Sequence, residues 1–314
     1  MNKTTTNSTG DEQQKTVELL SCSSVLTVEL KEHLIFISIL NSVLSLTAFL
    51  GNALILVALP KESSLHPPSK LLLRCLAITD LCVGFITEPL AVTSWMSRLH
   101  GQWNICNYIY VVNSVLNFIL TNVSLCTLTA VSVDRLLALL LGLGYRQVVT
   151  LKRTYLFVIT FWVLPSAFSP TFFWNPVMTL WYGIVITVLC LLTSIFSYTM
   201  IFLNLRRHQN QVQDHVQQPN QANPLHIERY KKAVSTAIWL QLTLIACYLP
   251  NIIALSLITK RGLSSSTYHV WNYALSLLFL NSSLNPILYC WKIEEIRQAV
   301  KNTIRQVLCH CFSC

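Results

Sequence analysis

Two carboxylates interrupt one long apolar run of this chain: Asp80, in Leu76-Ala77-Ile78-Thr79-Asp80, and Glu88, two turns further on beside Pro89. A charged side chain at mid-membrane costs about 2.5–3.5 kcal/mol on insertion scales, so each needs a partner, a proton or a function. A second polar interruption, Asn281-Ser282-Ser283-Leu284-Asn285-Pro286-Ile287-Leu288-Tyr289, falls near the end of the last apolar run. Asn113, Asn117, Thr121 and Ser124 follow at spacings of four, four and three, which places them on one helical face turned into a bundle. Two readings are open for these groups. Serine and asparagine serve as packing glue between membrane helices, and they also build water-filled or ion-holding pockets. Covalent chemistry has less support, since there is no His-Glu-x-x-His or Gly-x-Ser-x-Gly motif and no second catalytic group beside Asp80.

The elements that must position these residues are membrane helices. Of 314 residues, 53% are hydrophobic and 11% charged, against about 25% charged in soluble domains. The long apolar runs suit helices and not the weak ten-residue alternation of a barrel. The expected spans are 34–59, 69–95, 108–140, 154–172, 178–205, one starting near 229 and running past Pro250, and 268–290. With the N-terminus outside, 16 of the 22 basic residues fall on the cytoplasmic side, as the positive-inside rule requires. The net charge of +9 is therefore juxtamembrane, and no nucleic acid partner is implied. The first apolar run, about 26 residues long, exceeds a signal-peptide core and is expected to stay as an anchor.

Three segments are expected: an outer tail (1–33), a helical bundle (34–291) and a cytoplasmic end (292–314). The tail is polar and carries sequons at Asn2 and Asn7. In the cytoplasmic end Ile293, Ile296, Val300, Ile304 and Val307 recur at helical spacing among basic residues, the pattern of a helix lying on an anionic leaflet. Cys309, Cys311 and Cys314 then fit palmitoylation, with a small Cys/His metal site as the alternative. Pro250 and Pro286 are expected hinges, because each removes a backbone donor inside a span.

Asn285-Pro286-Ile287-Leu288-Tyr289 resembles the NPxxY motif of rhodopsin-like (class A) G-protein-coupled receptors. Other spans carry further matches in order: Gly51-Asn52, Asp80 after Leu76-Ala77, Asp134-Arg135 for the DRY triplet, Trp162 with Pro165, and Cys247 with Pro250 for CWxP. The resemblance covers about residues 34–305 and implies a seven-transmembrane helix bundle with a C-terminal amphipathic helix. It implies a cell-surface receptor in the plasma membrane that binds an extracellular small-molecule, lipid or peptide agonist and activates a heterotrimeric G protein. Asp80, Ser124, Asn281 and Asn285 would hold sodium, with no other cofactor. Asp134, Arg135, Tyr198 and Tyr289 would carry G-protein coupling. Candidate ligand contacts in the outer half are Glu88, Asn113, Asn117, Tyr248, Asn251 and Tyr273.

Departures from the pattern also carry information. Leu136 stands for the tyrosine of the triplet and Tyr248 for the tryptophan of CWxP; Cys190 takes the usual proline of the fifth span. The second outer loop has no cysteine, so the family's disulfide is absent, and Cys22 is left as a partner for Cys106. These features resemble the melanocortin, cannabinoid and sphingosine-phosphate branch, with adenosine receptors beside it, yet their ligand residues do not carry over. Tyr230 and Lys231 give Arg135 no evident acidic lock, although Glu228 is close, and raised basal signalling is expected. A membrane transporter is the rival class, and it lacks the expected internal repeat.

Overall fold

The computed structural model describes residues 22, 31–61, 65–215, 224–261, 264–292 and 294–312, the side chains of 208–238, 240, 292, 295 and 307–312 excepted. Asn2, Asn7 and Cys314 lie outside these residues, as do the side chains of Cys309 and Cys311. The chain is a seven-transmembrane helical bundle. The first span is α1 (Lys31–Ala58). The second is α2 (Pro67–Cys82), a π-helical turn (Val83–Thr87) and α3 (Glu88–Leu99). The third is α4 (Trp103–Leu141), followed by the short α5 (Tyr145–Val148). Next come α6 (Leu151–Phe168), the four-residue α7 (Thr171–Trp174) and α8 (Pro176–His215). The last spans are α9 (Pro224–Arg261) and α10 (Ser265–Lys292), and α11 (Glu294–Phe312) follows them.

Among the described residues, six helical segments are long and apolar enough to cross a membrane by length and composition. α10 is the seventh, and its polar residues are the reason it falls short. Asn272, Ser276, Asn281, Ser282, Ser283 and Asn285 are all buried, so they face the bundle and do not meet lipid. α4 is the central post, packed against α2, α3, α6 and α8, while α10 closes the ring between α9 and α1.

Prolines and glycines set the local geometry. Pro67 and Pro68 open α2, where missing N–H groups do no harm. Pro89 cannot donate within a regular turn; the π-helical turn precedes it, and the Glu88 N–H reaches back to the Val83 carbonyl. Gly84 lies in that turn against α1. A Cβ there would sit 2.8 Å from Ala48 Cβ and from the Phe49 nitrogen. Pro286 leaves the Ser282 carbonyl without its helical donor, and Asn52 Nδ2 fills the place at 3.0 Å. Asn52 also donates to the Ala48 carbonyl, at 2.8 Å.

α11 buries Ile296, Ala299, Val300 and Thr303 and exposes Lys301 and Arg305. Ile304 is 40% exposed, so the buried stripe runs through Ala299 and Thr303 where the apolar periodicity pointed to Ile304. Lys61 ties this helix to the end of α1 by donating to Gln306 Oε1 at 2.7 Å. Glu294 and Arg297 pair one turn apart.

Candidate functional site

The site is a polar column that runs through the bundle, with a carboxylate at its centre. Asp80 is completely buried on α2. Its Oδ1 accepts from Ser124 Oγ of α4 at 3.1 Å and from Ser282 Oγ of α10 at 2.9 Å. Its Oδ2 accepts from Asn285 Nδ2 at 2.7 Å. One side chain thus joins three spans. Ser282 is the partner that sequence reasoning missed, although it lies within the polar stretch that drew attention. Asn281 takes no part in these bonds. Its Nδ2 has no partner, and the side chain turns toward the cavity it shares with Tyr198 and Tyr289, because one residue along a helix rotates the direction by about 100°.

Directly outward of Asp80, Ser124 and Ser282 border a space of about 10 Å3 together with Tyr248, Thr121 and Phe279. That is close to the room one water or small ion needs. Its oxygen donors suit a hard cation. The side-chain oxygens bordering this space are those of Thr121, Ser124, Tyr248 and Ser282, and Asp80 lies behind the two serines.

At the end of the column expected to face the cytoplasm, Tyr198, Tyr289, Asn281 and Asn285 line one cavity of about 20 Å3 with Ser132 and Leu244. The Tyr289 hydroxyl has no partner. Asp134 is buried and held by Ser69 Oγ at 2.7 Å and by the Tyr145 hydroxyl at 2.5 Å. Neither partner was readable from the motif, since one lies 65 residues upstream and the other on a separate short helix. Among the described residues Arg135 forms no ion pair.

At the opposite end, the outer one in the expected orientation, a second cavity of about 20 Å3 lies between α3, α4 and α10, and Asn113 and Asn117 line it. Tyr248 sits deeper, against Ser124. Asn251 is buried but borders neither space. Tyr273 was expected in the cavity. It is 36% exposed and pairs with His33 Nδ1 of α1 at 2.8 Å, because Trp271, Asn272 and Leu275 occupy the cavity side of α10. Glu88 is completely buried, and neither carboxylate oxygen has a hydrogen-bond partner. Nor did the sequence single out Arg98, Trp95 and Tyr268, which also line the outer cavity.

The disulfide between Cys22 and Cys106 is formed, with a Cα–Cα separation of 6.0 Å. It ties the tail to the start of α4. Cys106 is brought there by the turn after α3. Gly101 adopts φ +68°, the Gln102 N–H reaches the Ser97 carbonyl and the Gly101 N–H the Arg98 carbonyl, a Schellman end that reverses the chain. Pro250 and Pro286 both lie inside continuous helices.

Comparison with known families agrees with this geometry. The family described as 7 transmembrane receptor (rhodopsin family) matches residues 51–175 and 166–289.

Proposed function

Because the chain belongs to the rhodopsin family of seven-transmembrane receptors, we propose that it is a cell-surface receptor whose outer ligand activates a heterotrimeric G protein. The observation that carries this reading is the Asp80 junction, which joins α2, α4 and α10 midway between an outer and an inner cavity. A change in the packing of any one of these helices changes the hydrogen bonding of the other two. Groups at such a junction have two arrangements to choose between, and a ligand shifts the balance by its differential affinity for them.

Asp80, Ser124 and Ser282 would supply oxygen ligands to a sodium ion, which would offset a buried carboxylate charge. An agonist would favour the arrangement in which this pocket contracts and α9 moves outward about Pro250. Arg135, Tyr198 and Tyr289 would then admit a segment of the G protein α subunit. Raised basal signalling rests on the sequence, where Tyr230 and Lys231 offer Arg135 no acidic lock and Glu228 is the nearest acid.

The N-terminus lies outside the plasma membrane in this reading, with glycans on Asn2 and Asn7 and palmitate on Cys309, Cys311 and Cys314. A second outer loop without cysteine and Cys190 in place of the fifth span's proline support affinity with the melanocortin, cannabinoid and sphingosine-phosphate branch.

Sodium titration of agonist affinity tests the junction. Wild type should lose agonist affinity as sodium rises, and Asp80→Ala should lose that dependence. Sodium-independent affinity in both proteins removes the ion from the mechanism. Basal second-messenger output no higher than in mock-transfected cells counts against raised basal signalling.

A further inference from the structure

The outer cavity holds a cation that no carboxylate among the described residues neutralises. Arg98, at the end of α3, is 3% exposed. Its Nε donates to Cys106 Sγ at 3.2 Å, and its guanidinium lies 4.8 Å from the Tyr268 ring centroid and 6.0 Å from that of Tyr110. A disulfide sulfur is a weak acceptor, and aromatic faces recover only part of the cost of burying a charge. Among the described residues no carboxylate pairs with it, and Nη1 is buried without an acceptor.

Further groups at the same cavity share this condition. Ser94 Oγ, one turn before Arg98 on the same face, has no partner, and neither does the Tyr268 hydroxyl. Both hydroxyls can donate, so three unused donors converge. Asn113 Oδ1 is a buried acceptor left over on α4. The space between them, about 20 Å3, accepts one or two water-sized groups. Two carboxylate oxygens fill such a space, while a phosphate needs more room. Trp95 and Trp271 bound the site with apolar surface. A cationic ligand would meet the charge of Arg98, and none of the described residues lining the cavity is acidic.

We propose that the outer cavity binds its ligand through a carboxylate held by Arg98, Ser94 and Tyr268. The signalling consequence rests on the receptor reading above; the binding itself does not.

The test uses the full chain, purified into phosphatidylcholine nanodiscs. Thermal unfolding is followed with 3-phenylpropionate or octanoate, with the corresponding amides and alcohols, and with oleate added to the bilayer. The acids should stabilise the protein and their amides and alcohols should not. Stabilisation by the two soluble acids assigns an aqueous ligand; stabilisation by oleate alone assigns a lipid one. Arg98→Gln should weaken acid binding about ten- to hundredfold, the usual effect of removing a charged hydrogen-bond partner. Should Arg98→Gln fail to fold, Tyr268→Phe and Ser94→Ala decide, since each removes one donor and little volume. Each should weaken binding about threefold or more. No stabilisation by any acid, equal stabilisation by amides, or wild-type affinity in these variants overturns the proposal. Acid binding without nucleotide exchange on a G protein would instead sink the receptor reading and leave this one standing. Exchange that depends on Arg135 without acid binding would do the reverse.

Discussion

Replacing Asn52 by alanine should destabilise the protein, and replacing Pro286 by alanine in the same chain should restore part of the loss. Asn52 is 1% exposed and spends its two N–H groups on the Ala48 and Ser282 carbonyls, at 2.8 and 3.0 Å. Removing the amide leaves the Ser282 carbonyl buried without a donor, because Pro286 cannot supply one. A buried unsatisfied group costs about 1–3 kcal/mol. Pro286→Ala returns the N–H that a regular helix would offer to Ser282, so in the Asn52→Ala background it should recover about 1 kcal/mol. In the wild-type background that N–H finds its acceptor already taken, and contact with Gly51 is lost, since a Cβ on Gly51 would already stand 3.0 Å from Pro286 Cγ. The two effects should therefore be non-additive with a compensating sign. Denaturation of all four proteins in nanodiscs measures the coupling, and the cavity left by Asn52→Ala cancels because it occurs on both sides of the cycle. Additivity within about 0.3–0.5 kcal/mol would refute the claim that Asn52 stands in for the proline's missing donor.

Ser282→Ala should destabilise the protein by about 1–3 kcal/mol through the lost bond to Asp80, and an Asp80→Asn background should shrink that loss. Equal losses in both backgrounds would remove Ser282 from the junction. Gly84→Ala should cost about 1–3 kcal/mol through overpacking against Ala48 and Phe49, whereas Gly144→Ala, with nothing within 4 Å, should keep the wild-type melting temperature. Cys22→Ser should lower stability by up to about 4–5 kcal/mol on the chain-entropy estimate for a loop of 84 residues, and a reductant should do the same to wild type but not to the variant. Tyr145→Phe removes the 2.5 Å bond to Asp134 and should change basal second-messenger output, with surface expression measured alongside; unchanged output would leave that bond a purely structural role.

The bundle was legible because lipid forces long apolar runs, and the seven spans lie close to where hydropathy puts them. α10 is the weakest of them by hydropathy, since the residues that let it work inside the bundle are polar, and its motif gave it a second support. Asp80, Ser124 and Asn285 were readable from composition and order. Ser282 against Asn281 was not, because the choice depends on the rotation of α10 to within one residue. The same limit moved Tyr273 out of the cavity. Along the second span the π-helical turn at Val83–Thr87 resets the phase of every residue beyond it. Arg98 therefore looked like an outer basic residue in a positive-inside count, while the fold buries it. Cys190 marks a different kind of departure. Where the family has a proline, α8 runs unbroken, and the Cys190 thiol lies 3.9 Å from that of Cys126 on α4.

Guanine-nucleotide exchange on a purified heterotrimeric G protein, driven by this protein in nanodiscs, bears most directly on the polar column as a signalling switch. Exchange should exceed that with empty nanodiscs, and Arg135→Ala should cut it about tenfold or more, as expected when a charged contact to the partner is lost. Asp80→Asn should alter the rate, while Gly144→Ala should leave it at the wild-type value. Exchange no faster than with empty nanodiscs, or equal in wild type, Asp80→Asn and Arg135→Ala, would contradict the account.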